Sequence, residues 1–224
     1  MGYSYKRLAE LSGIPVGTVQ KVLGGITKAP RYETLKALEK ALRPVEDDWF
    51  CYDWAKDAIL ALNKKGIVSG VGNGKFEPGR AVNREEFAKL LCETFGLEKT
   101  DEASSFTDVA NGSWYEVYVM TANKHGIING VEESVFGTGR NITREDMVTM
   151  LYRAICAKGI EISDEGTVFE DDNEISDYAK DAVLKMCAKG VVNGVGENKF
   201  APKKSATRAE AAVILKRVTD TFLD

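Results

Sequence analysis

Three arginines stand where side chains of that type could capture an anion: Arg84, Arg144 and Arg208, separated by 60 and 64 residues. Each lies just inside a predicted helix start, in Asn83-Arg84-Glu85-Glu86, Thr143-Arg144-Glu145-Asp146 and Thr207-Arg208-Ala209-Glu210. The flanking residues have a local task. Thr or Asn accepts a hydrogen bond from the third helical N–H, and the acid there reaches back to the N–H of the cap, the arrangement called a capping box. Capping contributes roughly 1 kcal/mol per helix and explains the cap and the acid. It assigns nothing to the arginine, whose charge beside an already positive helix end is unfavourable by about a few tenths of a kcal/mol. That cost, repeated three times, points to a negative partner, either an internal carboxylate or a bound ligand.

Other chemistries find no support in the residue types. The one histidine, His125, sits at a predicted helix end where the other copies of the same pattern carry Lys65 and Lys189, so it reads as a cation near the negative end of a helix dipole. Cys51, Cys92, Cys156 and Cys187 form no C-x-x-C pair and hold no common register, which predicts buried thiols in a reducing compartment. Neither G-x-S-x-G nor H-E-x-x-H occurs, and the glycines of Gly70-Val71-Gly72-Asn73-Gly74 are wrongly spaced for a dinucleotide loop. The pair Asp171-Asp172 has nothing to set it apart for acid–base work. No catalytic residue, no metal ligand and no cofactor is expected.

The elements that must carry the arginines repeat with them. Gly66-Ile67-Val68-Ser69-Gly70-Val71, Gly126-Ile127-Ile128-Asn129-Gly130-Val131 and Gly190-Val191-Val192-Asn193-Gly194-Val195 keep the same two offsets. So do Trp54, Trp114 and Tyr178, and so do Phe76, Phe136 and Phe200. The four extra residues of the second spacing are expected in the surface loop Gly159 to Val168, where insertion is tolerated. Each unit reads as helix, long loop, helix. In the first copy Trp54, Ala58, Ile59 and Leu62 fall at helical spacing, and Gly66 follows Lys64-Lys65 as a helix end requires. With 44% hydrophobic and 29% charged residues the chain has the balance of a soluble globular protein, and its apolar runs are far too short for a membrane span.

The order F-x-D, aromatic, G-I-I-x-G, Phe, T-R-A-E closely resembles the S-layer homology repeat, over about residues 45 to 223. Phe106-Thr107-Asp108 and Phe169-Glu170-Asp171 supply the F-x-D element, whereas the first copy has Val45-Glu46-Asp47; the third copy has Tyr178 for Trp, and the first has Asn83 for Thr. The resemblance implies an all-α, pseudo-threefold bundle of three helix-loop-helix repeats, at 45–97, 104–160 and 167–223. It also implies grooves between repeats that bind an anionic, pyruvylated secondary cell-wall polysaccharide. Carried over residue by residue, it puts Arg84, Arg144 and Arg208 against the carboxylate and Asp47, Asp108 and Asp171 on sugar hydroxyls. Trp54, Trp114 and Tyr178 then provide apolar packing, and Gly70, Gly130 and Gly194 allow close backbone approach. A plainer task exists for most of these: core anchors for the aromatics, turns of positive φ for the glycines, helix caps for the aspartates. Of the arginines, only pairing with those aspartates suggests itself.

Residues 1 to 43 differ in charge and pattern. They hold eight Lys or Arg against three Glu, a net of +5, so in a chain of −4 the remainder carries −9. A basic head on an acidic body suggests different partners for the two. Ala9, Gly13 and Val19, with Leu8, Ile14 and Val22 apolar around them, keep the spacing of a helix-turn-helix. Ser4 to Leu42 resembles the lambda-repressor-like (Cro-type) family, with Pro15 to Leu23 as recognition helix and Arg31 to Leu42 as support helix. The family carries a further helix before this point, where only Met1, Gly2 and Tyr3 stand, so the segment reads as truncated. Thr18, Gln20 and Lys21 would face bases of double-stranded DNA, and Lys28 and Arg31 its phosphates.

The two resemblances pull toward different compartments. Nothing at the start reads as a secretion signal, which suits the cytoplasm, whereas a wall-binding trimer belongs at the cell surface. The main expectation is a non-enzymatic binding protein of the wall polymer. The alternative is a cytoplasmic DNA-binding regulator in which the repeat trimer serves as sensor or interaction platform.

Overall fold

A computed structural model describes residues 4–42, 52–72, 74–102, 104–163, 166 and 168–224. Its regular structure is helical: α1 (Tyr5–Ser12), α2 (Val16–Leu23), α3 (Tyr32–Leu42), α4 (Asp53–Lys64), α5 (Arg84–Phe95), α6 (Glu116–Lys124), α7 (Arg144–Ala157), α8 (Asp177–Ala188) and α9 (Arg208–Val218). Among the described residues, β pairing is confined to isolated bridges, and no helix is long and apolar enough to cross a membrane.

The second helix of each repeat begins where its cap chemistry places it. Asn83 with Glu86 and Thr207 with Glu210 form complete capping boxes, while Thr143 accepts from the Asp146 N–H. First helices end as the sequence implied, with Lys65, His125 and Lys189 as their C-terminal caps.

Helix pairing is between repeats. The first helix of one repeat packs on the second helix of its predecessor, α6 on α5 and α8 on α7, and α4 closes the circle on α9. An isolated helix-loop-helix therefore has no partner for its apolar face, and three copies are needed to satisfy all of them. At the axis the chain segments that lead into α5, α7 and α9 join in a ring of backbone bonds: Val82 N–H donates to Ala206 O (2.9 Å), Ala206 N–H to Ile142 O (3.0 Å) and Ile142 N–H to Val82 O (2.8 Å). The side chains of these three residues are fully buried, as are Phe76, Phe136 and Phe200 from the long loops. The result is the pseudo-threefold all-α bundle that the repeats predicted.

Three expectations change. Trp54 leaves the apolar stripe: Ala55, Ala58, Ile59 and Leu62 are buried, whereas Trp54 is 57% exposed. The four added residues are not all in the loop after Gly159. Phe106 to Phe169 spans 63 residues and Trp114 to Tyr178 spans 64, so one addition follows Asp171, where a 3-10 turn (Asp172–Glu174) lies. The helix α7, at 14 residues against 12 for α5, takes up part of the rest. Of the three described cysteines, Cys92 is a buried thiol, pushed up to about 12 chiefly by burial, whereas Cys156 is exposed and Cys187 half-buried. Cys51 lies outside the described residues.

The head has its own small core. Leu8, Val19 and Leu38 are buried together, with Ala9, Ile14 and Val22 packed against them. Gly13 takes the turn between α1 and α2 at φ +69, a left-handed conformation that costs glycine nothing.

Candidate functional site

The repeated arginines, exposed aromatics and glycines line three surface grooves, and each groove draws on all three repeats. The first, of about 620 Å³, combines Gly70 and Glu86 of the first repeat with Trp114 of the second and Arg208 of the third. The second, of about 320 Å³, combines Gly130 and Asp146 of the second repeat with Tyr178 of the third and Arg84 of the first. The third, of about 440 Å³, combines Gly194 and Glu210 of the third repeat with Trp54 of the first and Arg144 of the second.

Position N1 sends each arginine across a repeat boundary. The Arg84 guanidinium lies 5.3 Å from the Phe136 ring centroid, Arg144 5.0 Å from Phe200 and Arg208 4.5 Å from Phe76. In each case Nε also donates to the carbonyl of that same phenylalanine, at 3.0, 2.8 and 2.7 Å. Stacking and a directed hydrogen bond together use the planar fork of arginine in a way lysine could not. So the arginines do have a structural task that spacing alone had not suggested: they rivet one repeat to the loop of the next. The signal was present, because Phe76, Phe136 and Phe200 recur at the arginines' own offsets.

The rivet leaves part of each guanidinium toward its groove. Arg144 Nη2 donates to Asn193 O at 3.1 Å and Nη1 lies 3.6 Å from Glu210 Oε1. Arg208 Nη2 donates to Ser69 O at 2.8 Å. Arg84 Nη1 meets Asp146 Oδ2 at 3.0 Å. Burial disfavours the charge on Arg84 and Arg144 and lowers both below the ordinary arginine value, with Asp146 and Glu210 respectively opposing the shift. Arg84 and Arg144 find their ion-pair partners in Asp146 and Glu210, not in Asp108 or Asp171.

Asp108 and Asp171 hold loops. Asp108 accepts the N–H groups of Phe136, Gly137 and Thr138, each at 2.7 Å, and Asp171 those of Phe200 (2.8 Å) and Ala201 (2.7 Å). Burial works against the Asp108 charge, but the three amides outweigh it and hold the carboxyl below its ordinary value of 3.8. These aspartates neither cap the first helix nor stand free; they place the phenylalanines under the arginines. Asp47 lies outside the described residues, and the offset of 60 from Asp108 falls on its neighbour Asp48.

The aromatics are not core anchors. Trp54, Trp114 and Tyr178 are 57%, 55% and 53% exposed, one at the lip of each groove. Tyr52 and Tyr115 brace the two indoles edge-on, with centroids 5.9 and 5.4 Å apart. The glycines have an internal reason as well: a Cβ on Gly130 (φ +81) would stand 2.6 Å from Val135 O, and one on Gly194 2.7 Å from Lys199 O.

The charged groove residues that the sequence reading had passed over are mostly cations. Arg80 and Lys204 occupy one repeated position and Arg153 and Arg217 another, and all four line grooves. Counting lining side chains, the Trp54 groove holds Arg144, Lys204 and Arg217 against Glu210 alone. Clefts with such an excess favour an anionic ligand.

In the head, Val19 faces inward on α2 while Thr18, Gln20 and Lys21 are exposed, and Lys28 and Arg31 are exposed before α3. Their arrangement follows from a helix anchored by one buried valine.

Comparison with known proteins agrees with both parts of this architecture. A model of the S-layer homology domain matches residues 51–88, 105–148 and 168–212, and a helix-turn-helix model matches residues 1–50. An exoglucanase of Acetivibrio thermocellus is 38% identical over 73% of the chain and 15% of its own length. An S-layer protein of Bacillus thuringiensis subsp. finitimus and the S-layer protein sap of Bacillus anthracis are each 30% identical over 75% of the chain and 20% of their own lengths. The chain thus spans a fifth or less of these relatives. With three in-register matches over more than half of its residues, the chain belongs to the S-layer homology domain family.

Proposed function

We propose that the three-repeat body is a non-catalytic binding module for an anionic, pyruvylated secondary cell-wall polysaccharide. S-layer proteins among the relatives support attachment to the cell wall. The observation that carries the reading is the recurrence, in every groove, of an arginine, an exposed aromatic and a glycine from three different repeats. Arg84, Arg144 and Arg208 meet the ligand carboxylate through N–H groups beyond the Nε rivet. Trp54, Trp114 and Tyr178 pack against the apolar faces of the sugar, Gly70, Gly130 and Gly194 let the backbone approach, and Asp47, Asp108 and Asp171 complete the set, the last two through the loops they fix. Co-sedimentation of the whole chain with purified walls, before and after the secondary polymer is extracted, tests this. Binding should be lost with the polymer; equal binding to the stripped peptidoglycan would overturn it.

A second reading is favoured by one observation in the head, the outward display of Thr18, Gln20 and Lys21 around buried Val19. In that reading the chain is a regulator: these residues face bases of double-stranded DNA, Lys28 and Arg31 face phosphates, and the trimer is a sensor or interaction platform. Gel shifts at low and moderate salt decide it, since phosphate-driven binding falls steeply with added salt. Retention that does not depend on salt, or none at any salt, rejects it.

A further inference from the structure

Two of the grooves hold a second guanidinium, and its surroundings differ from those of the first. In the Tyr178 groove Arg84 is only 6% exposed and pairs with Asp146 at 3.0 Å; in the Trp54 groove Arg144 is 5% exposed and pairs with Glu210 at 3.6 Å. Lys204, a further cation of the Trp54 groove, shares Glu210 at 3.5 Å. Those charges are already answered in part from within the protein. Arg153 and Arg217 are half-exposed, line the same two grooves and, among the described residues, have no acid within ion-pairing distance. Each is steadied by a neutral oxygen just beyond the first helix of its own repeat: Arg153 Nη1 donates to Ile127 O at 3.5 Å and Arg217 Nη1 to Val191 O at 3.2 Å. That leaves Nε and Nη2 of both without a protein acceptor among the described residues.

Helix geometry sets how far apart the two guanidiniums of a groove stand. Asp146 and Arg153 are seven residues apart on α7, and Glu210 and Arg217 seven apart on α9. Seven residues are close to two turns, so acid and arginine share one face about 10 Å apart along the axis. The acid marks where the arginine of the preceding repeat arrives, so the groove presents one guanidinium near each end of that stripe. A single sugar does not reach both. In the first repeat the same position is Glu93, which turns to Lys99 at 3.2 Å, so the Trp114 groove has no guanidinium there.

We propose that Arg153 and Arg217 are a second anion-reading point in their grooves, and that the ligand is a doubly acidic saccharide, with an oxyanion on the sugar next to the one that carries the ketal carboxylate. This rests on the glycan reading above and deepens it. A half-exposed arginine with unused N–H groups takes a ligand oxyanion without first giving up an internal carboxylate, and its planar fork fits carboxylate and phosphate alike.

Titration calorimetry of the whole chain with three soluble disaccharides tests this. All carry the pyruvate ketal on one sugar; the neighbouring sugar is neutral, a uronate or a phosphate ester. The native chain should bind at least one of the doubly acidic ligands about tenfold more tightly than the singly acidic one, and the larger preference names the group. Arg153→Gln/Arg217→Gln keeps an N–H donor for Ile127 O and Val191 O but removes the charge. It should reduce the preference to twofold or less while leaving affinity for the singly acidic ligand within twofold. Lys124→Gln/Lys158→Gln, which removes equal charge at exposed positions lining none of the three grooves, should keep the preference. Equal affinity of the native chain for all three ligands overturns the proposal and leaves the glycan reading in place. So does a preference that survives the arginine pair, or a loss by that variant that is equal for every ligand, as a purely structural role requires. Binding of none of the three by the native chain overturns both. If the double variant fails to fold, as judged by thermal unfolding, the single variants Arg153→Gln and Arg217→Gln decide: each should lower the preference, and no change in either overturns the proposal.

Discussion

Head and body are both built of short helices, yet they close their cores by different means. The body buries large side chains from every element, including Phe76, Phe87, Phe136 and Phe200, because each helix face finds its complement on another repeat. Among the described residues of the head Leu8, Val19 and Leu38 are buried, while Tyr5, Val16, Leu23, Ile26, Tyr32 and Leu35 stay 40% or more exposed. Helices of eight residues are marginal by themselves. What the difference teaches is that short amphipathic elements become a firm scaffold through cyclic reciprocity, and a run of three helices without it keeps much of its apolar surface outside.

That contrast can be broken or sharpened by substitution. The largest effect is expected from Phe136→Ala, which empties a fully buried site and removes the platform under Arg84; it should cost about 3–5 kcal/mol in urea unfolding. The loss should appear in all three repeats in one transition, since no repeat pairs its helices by itself. Unfolding of the second repeat alone, seen by amide exchange, would break the comparison. Next comes Arg144→Ala, which deletes a buried charged donor to Phe200 O and should cost roughly 1.5–3 kcal/mol. Arg144→Lys should recover little of it, because lysine cannot stack and donate at once.

A smaller effect, about 1–2 kcal/mol, is expected for Asp108→Asn, since the amide keeps one acceptor oxygen for the three N–H groups. It carries a pH signature. Folding holds Asp108 below 3.8, and Glu86, Glu145 and Glu210 below 4.5, where amide and cation partners outweigh burial. Stability from these groups is therefore full at neutral pH and is lost as the pH falls below about 4.5 through their folded values. Urea midpoints should decline over that window, and less steeply in Asp108→Asn. The smallest effect on the body should come from Val19→Ala. It removes the central contact of the head, and amides of α1 and α2 should exchange faster while the body midpoint stays unchanged. A shifted body midpoint would mean that the two cores are coupled.

Much of this was legible beforehand. Register, helix caps, the ends at Lys65, His125 and Lys189, and the Gly13 turn all depend on residues within a few positions of one another, and local chemistry of that kind is written along the chain. What spacing could not convey was partnership between repeats. Arg84 and Phe136 are 52 residues apart, and a repeat read by itself gives no reason to join them. For the same reason Trp54, which fits the helical stripe by position, was assigned inward: the face it presents is decided by α9, from the far end of the sequence. The N3 acids were legible as caps, but the missing methylene of Asp146 acquires meaning only once Arg84 is known to lie opposite.

The seam between α4 and α9 has a consequence for how the molecule comes into being. Those helices are separated by more than 140 residues, so the apolar side of α4 leaves the ribosome long before the mate that covers it. During that interval the nascent polypeptide displays an unmatched surface that any sibling chain could cover. The joint between α4 and α9 makes the body whole, and every stopping point before α9 has emerged leaves an open circle.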